Sequence, residues 1–135
     1  MIRAVADTHV VIWHLYQSPR LSKTVKQVIE DAVTTGQRIA ISSITLAEIV
    51  YLIEKQRIHH EAFDLLWTAL GRSDVTPIFQ EIVLTKEVIR EMQAISRQEV
   101  PDLPDRLIAA TALYLNVPLL TRDAKIRATQ IETIW

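Results

Sequence analysis

Asp7, Glu48, Asp105 and Asp123 each fall where a strand is expected to hand over to a helix. Carboxylates gathered at one edge of a sheet repel one another, by about 4 kcal/mol for a pair ~4 Å apart at an effective dielectric of ~20. Convergence of the four therefore calls for a divalent cation, and cations held by carboxylate and water commonly meet phosphates. Helix capping is the competing explanation. Asp7 and Asp123 precede helical stretches, and Thr45-x-x-Glu48 has the spacing of a capping box. Asp105 lies in the first turn behind Pro104, where a negative charge gains about 0.3–1 kcal/mol from the helix dipole. Capping accounts for each acid singly, yet Ser, Thr and Asn cap as well, so capping does not require acids at all four junctions.

Other hydrolytic chemistries lack their residues. The chain has no cysteine, which excludes disulfides and thiolate metal sites. No serine sits in a Gly-x-Ser-x-Gly elbow, and the two glycines, Gly36 and Gly71, are too far apart for a phosphate-cradling loop. An activated water is what remains. One or two cations among the carboxylates would lower its pKa, polarise a scissile phosphate and stabilise a leaving 3′ oxygen, giving 5′-phosphate and 3′-hydroxyl ends. A phosphatase of haloacid-dehalogenase type would need a second aspartate where His9 stands, and a receiver domain an acidic pair that is missing. His59-His60-Glu61 reads as a solvated cap, and His9 is near enough to Asp7 to touch the site. Trp13 and Trp67 recur with apolar neighbours at helical spacing, as core or dimer contacts would; Trp135 has no assignment.

The elements that must position the acids follow from periodicity. Short strands are expected at 2–6, 39–42, 75–78, 118–121 and 131–134, the third confined to an edge or an end by Pro77. Helices are expected over 8–16, from Ser22 to about Thr35, around Leu46–Arg57, and over 60–71, 85–97 and 104–116, with one turn after Asp123. In the fourth, Phe63, Leu66, Trp67 and Leu70 share a face; in the fifth, Val88, Ile89, Met92 and Ile95 point inward. Strands alternating with helices predict an α/β fold, a short parallel sheet flanked by helices on both faces, with ligands at the carboxyl ends of the strands. At 135 residues, one domain spanning 1–135 is the simplest division. No apolar run approaches the ~20 residues of a membrane span and no signal peptide is evident, which predicts a soluble cytoplasmic protein without a membrane partner. The net charge of −1 understates its affinity for polyanions: with four of the 16 acids neutralised by metal, the 15 Lys and Arg are left in excess by about three.

The sequence around each acid separates the two readings. "DTHVVIW" (7–13), "ISSITLAEIV" (41–50), "DLPDRLIAATA" (102–112) and "PLLTRD" (118–123) occur in an order and at intervals that resemble the PIN-domain ribonucleases, and among them the VapC-type toxins of toxin–antitoxin pairs. The resemblance implies a single PIN-like domain and an endoribonuclease in which Asp7, Glu48, Asp105 and Asp123 bind Mg2+ or Mn2+ and carry catalysis. Thr121 stands where relatives have a hydroxyl beside the metal, and Thr8 follows the first acid as in relatives. Asp102 matches an acid three residues before Asp105, although its Asp-Leu-Pro order departs from the commoner Asp-Pro and helix capping is its alternative. Arg106 and Arg122 each neighbour a site acid, as candidate phosphate contacts or as charge balance. The resemblance further implies an RNA substrate, transfer or ribosomal RNA among the candidates, a homodimer, and a small antitoxin whose tail crosses the acidic groove. The rival from another class is a PIN module that binds RNA or protein without cutting.

Overall fold

The computed structural model describes residues 1–71 and 77–135. Five strands, β1 (Ile2–Ala6), β2 (Arg38–Ser42), β3 (Phe79–Ile82), β4 (Leu119–Leu120) and β5 (Thr133–Ile134), form one sheet in the order β3-β2-β1-β4-β5. Every neighbouring pair is parallel. The helices among the described residues are α1 (Thr8–Leu15), α2 (Lys23–Thr34), α3 (Ser43–Glu54), α4 (Ala62–Ala69), α5 (Lys86–Arg90), α6 (Leu103–Leu115) and α7 (Ala124–Arg127).

The strands are short and apolar on both faces, as a sheet covered on both sides demands. Successive side chains alternate between two cores. Ala4, Ala6, Ile39, Ile41, Phe79 and Leu120 face Val10, Val11, Val25, Ile29, Ile49 and Leu66. Val5, Ala40 and Leu119 face Ile108, Ala109, Ala112 and Ile126 on the other side. Each fully buried Ile, Leu or Phe contributes about 1.5–3 kcal/mol, and small residues at Ala4, Ala6 and Ala40 let the helices approach the sheet. Ser22 caps α2 by accepting from the Val25 N–H, Gly36 (φ 75°) turns the chain out of it, and Asn116 closes α6 in the left-handed region at φ 54°.

Three expectations need correction. The strand expected over 75–78 lies partly outside the described residues, and Pro77 and Ile78 precede the strand, which runs over Phe79–Ile82. It is an edge strand with Gln80 and Glu81 exposed, so it lacks the apolar run that marks a buried strand. The helix expected over 85–97 stops at Arg90 and continues as a 3-10 turn over Glu91–Ala94, leaving Ile95 extended and Ile89 46% exposed. The cause is distant in sequence: the Arg106 guanidinium donates from Nη2 to the carbonyls of Met92 (3.2 Å) and Ile95 (2.9 Å), fixing the turn against α6. Third, Trp67 is not on the buried face of α4. It is 60% exposed, with its ring 5.8 Å from that of Phe63.

The chain leaves β1 towards β2 in one direction, and β4 lies on β1's other side. That reversal opens a crevice beyond the carboxyl ends of β1 and β4, the place where open α/β sheets bind ligands.

Candidate active site

Parallel strands put all their carboxyl ends at one edge, and the helices that follow begin there. Asp7 leaves β1 and caps α1, its Oδ1 accepting from the Thr8 N–H at 2.8 Å. It is only 3% exposed. Thr121, one residue past β4, donates its hydroxyl to Asp7 Oδ2 at 2.6 Å, joining positions 114 residues apart across the β1/β4 crevice. The same hydroxyl accepts the Asp123 N–H at 3.0 Å. Asp123 in turn caps α7, its Oδ1 accepting from the N–H groups of Lys125 and Ile126.

A second hydroxyl brace holds Glu48. Thr8 donates to Glu48 Oε1 at 2.6 Å, so at the 3.1 Å Thr8–Thr45 contact the Thr45 hydroxyl is the donor. Thr45 and Glu48 form no capping box: the N-cap of α3 is Ser42, and Thr45 is fully buried within the helix. Sequence reasoning took Thr45 for a cap and missed this contact. Its one signal was a second polar residue, one turn before Glu48, in a helix otherwise rich in apolar residues.

Asp105 lies in the first turn of α6, and Asp102 is that helix's N-cap, its Oδ1 accepting from the Asp105 N–H at 3.0 Å. Burial, and then the negative charges of Asp7, Asp102, Asp123 and Glu48, push the Asp105 carboxyl up to about 7. Glu48 is raised too, by burial, against the Thr8 hydrogen bond and with Asp7 and Asp102 adding to the shift. Acids from four separate segments thus share one local field. They do not close tightly, however. Among the described residues, the one trio whose candidate ligand atoms all lie within 4.8 Å of one another is His59, His60 and Glu61. That trio is exposed, consecutive in sequence, and explained by a local turn in which His59 Nδ1 accepts the Glu61 N–H.

The donor chemistry of the acidic edge fits a hard divalent cation. The side chains offered are carboxylates and threonine hydroxyls, oxygen donors throughout. Among the described residues, Glu48 Oε2, Asp123 Oδ2 and both Asp105 carboxyl oxygens accept no hydrogen bond. The spread of the carboxylates leaves room for waters, which Mg2+ sheds reluctantly.

His9 does touch this edge. Its Nε2 accepts the Arg122 N–H at 3.0 Å, which places the ring proton on Nδ1, 3.4 Å from Asp7 Oδ2. Burial lowers its pKa, opposed by the Asp7 charge. Trp13 is neither core nor a free surface ring; it packs against His9 (4.9 Å between centroids) and Trp135 (5.9 Å). Trp135, unassignable from sequence, arrives because β5 pairs with β4 and ends at the same edge. Of the two arginines, Arg122 lies with its guanidinium carbon 4.7 Å over the Trp13 ring. Arg106 turns away, committed to the Met92 and Ile95 carbonyls, with its Nε buried and unpartnered.

Comparison with known proteins supplies the lineage. The PIN domain family model matches residues 4–132. The chain belongs to the PIN-domain family. A curated relative, Ribonuclease VapC22 of Mycobacterium tuberculosis, is 28% identical over 138 residues, covering all of both chains. Among solved structures with this fold are VapBC2 from Rickettsia felis bound to a DNA fragment from their promoter (TM-score 0.72, 22% identity, 99% of this chain and 98% of that one). A toxin–antitoxin complex from Klebsiella pneumoniae is also similar (TM-score 0.65, 26% identity, 98% and 96%). Among the described residues of this PIN chain, no helix is long and apolar enough to cross a membrane.

The raised Asp105 carboxyl sets a sign for the metal-free protein. Between its ordinary value and about 7, the folded PIN domain keeps a proton that the unfolded chain has lost. Stability from this group is complete at low pH and is lost as pH rises through about 7. His9 and His14, both lowered by burial, act in the opposite sense as they lose their protons. The difference between wild type and Asp105→Asn therefore isolates the effect. Thermal melts in chelator from pH 5 to pH 8 should show Asp105→Asn gaining on wild type as pH rises, and Mg2+ should restore the wild type at pH 8. A pH-independent difference would refute the shared acidic field.

Proposed function

We propose that this PIN domain is a Mg2+-dependent (or Mn2+-dependent) endoribonuclease, the toxin of a cytoplasmic toxin–antitoxin pair. Asp7, Glu48, Asp105 and Asp123 would hold the metal, with Asp102 outside that set as the cap of α6. The observation that carries this reading is the meeting of acids from four segments at the crevice, which pushes Asp105 up to about 7 when no cation is there to neutralise them. A bound Mg2+ would supply a water of lowered pKa and Lewis-acid stabilisation of the phosphate. The chain's own part is positioning. Thr121 fixes Asp7 and receives Asp123, Thr8 fixes Glu48, and the Nδ1 side of His9 faces Asp7. Such hydrogen bonds lock ligand orientation before substrate arrives. Asp105, having no protein donor on its carboxyl, keeps both oxygens available to a cation.

The relatives' names support the cellular setting. The curated relative is called a ribonuclease, and one solved neighbour is a toxin–antitoxin complex. We extend both to this chain, with RNA as substrate, a small antitoxin as partner and a homodimer as its assembly. The test is incubation of the purified protein with transfer and ribosomal RNA. Cleavage in Mg2+, arrest by chelator and recovery on adding Mg2+ or Mn2+ are expected, with 5′-phosphate ends at the cuts. RNA that stays intact in Mg2+ while still bound would favour the non-catalytic PIN module instead.

A further inference from the structure

The edge beside Asp123 carries a second group that metal binding leaves unused. Arg122 is exposed and lies between Thr121, which braces Asp7, and Asp123. Among the described residues its guanidinium makes no hydrogen bond and no ion pair, although its charge and that of Asp123 are both felt by His9. An exposed arginine beside acids would ordinarily fold over onto them. Here the guanidinium carbon is 4.7 Å from the Trp13 ring centroid. That contact is of the cation–π kind, worth about as much as a surface salt bridge. Trp13 is itself wedged against His9 and Trp135, and His9 grips the backbone N–H of Arg122. Both ends of Arg122 are thus fixed from the α1 side of the crevice. What remains is an exposed guanidinium whose donors have no partner among the described residues, on the residue that precedes Asp123 in the chain.

We propose that Arg122, seated on Trp13, anchors single-stranded RNA by binding the phosphate next to the one that is cut. The inference rests on the nuclease reading for the word "cut", but not for the anchor itself. A guanidinium matches phosphate oxygens in a planar, bidentate way. An arginine backed by aromatic rings is the combination that single-stranded nucleic acids meet on proteins that hold them without reading sequence. It also answers an electrostatic need, since a polyanion approaching five acids requires a fixed cation at the entrance.

The test is fluorescence anisotropy of a labelled single-stranded RNA oligonucleotide in Ca2+, at several salt concentrations, with cleavage kinetics in Mg2+ alongside. Arg122→Gln should weaken binding about tenfold and make the slope of log affinity against log salt shallower by about 0.7, one phosphate contact on a single strand. In cleavage it should raise KM with kcat within about twofold. Arg122→Lys should keep the salt slope but recover only part of the affinity, because it loses the fork and the stack. Arg127→Gln, which removes an equal charge from the exposed side of α7, should change neither, and melting temperatures should match throughout. Unchanged affinity and slope in Arg122→Gln, or an equal loss in Arg127→Gln, would overturn the anchor. RNA bound through Arg122 but never cut would overturn the nuclease reading and leave the anchor standing. Absence of RNA binding by the wild type would overturn both.

Discussion

Asp7→Asn should reduce RNA cleavage by on the order of 10³-fold, a loss of the size seen when one charge-stabilising group leaves an active site, while the protein stays folded. The geometry explains the separation. Asparagine keeps an oxygen for the Thr8 N–H, and its amide can donate to Thr121, whose hydroxyl then accepts instead. Thr8 and Thr121 thus keep a partner, and only the longer 3.4 Å approach of the His9 Nδ1–H to Oδ2 is lost, so the crevice between β1 and β4 keeps its shape. What disappears is the charge at its centre, which also bears on Asp105 and Glu48. Cleavage measured beside circular dichroism distinguishes the effects. Full activity in the variant would end the assignment, and a melted variant would move Asp7 from chemistry to architecture.

Thr121→Val is expected to combine two losses. The substitution is nearly isosteric at a fully buried position, so packing changes little. The hydroxyl, however, serves both Asp7 Oδ2 and the Asp123 N–H. Stranding those partners should cost about 1–3 kcal/mol of stability. Loss of a hydrogen bond that orients a ligand typically lowers metal affinity or activity by about 10–100-fold. Raising Mg2+ should recover part of the activity if the defect lies in metal affinity, which a titration of rate against Mg2+ will show. Serine at the same position should retain most of both properties. Wild-type rates in the valine variant would remove Thr121 from the site.

Chemistry was easier to read from the chain than architecture at its edges. Asp7 and Asp123 do sit at strand–helix junctions, each marked by an apolar run ending in a capping residue. Glu48, by contrast, lies inside α3, and Asp105 lies in the first turn of α6 with no strand immediately before it. β1, β2 and β4 are central and apolar on both faces, so composition reveals them. β3 is an edge strand whose Gln80 and Glu81 face water, and nothing in its four residues demands a strand. The shortened α5 depends on Arg106, which reaches back 11 and 14 positions to the carbonyls it holds. The same non-locality hid the Thr8–Thr45 pair, 37 residues apart, and the packing of Trp13 against Trp135. Local periodicity reports which face a side chain takes, whereas hydroxyl braces and aromatic contacts between distant segments are set by strand order.

The bond between Thr121 and Asp7 has a further consequence in time. A chain is made from its amino terminus, so Asp7 and Glu48 are made well before the third and fourth acids, at residues 105 and 123. β1 has β2 as a partner early, but its other neighbour, β4, is formed by residues 119 and 120. Pairing across so many residues is among the slower events of folding. A fragment that stops before residue 105 therefore carries Asp7, Glu48 and the Thr8 brace between β1 and α3, but not the Thr121 bond across the crevice. On the proposed nuclease reading, the site is complete only once residues 121 and 123 have been made and have joined Asp7 across the crevice.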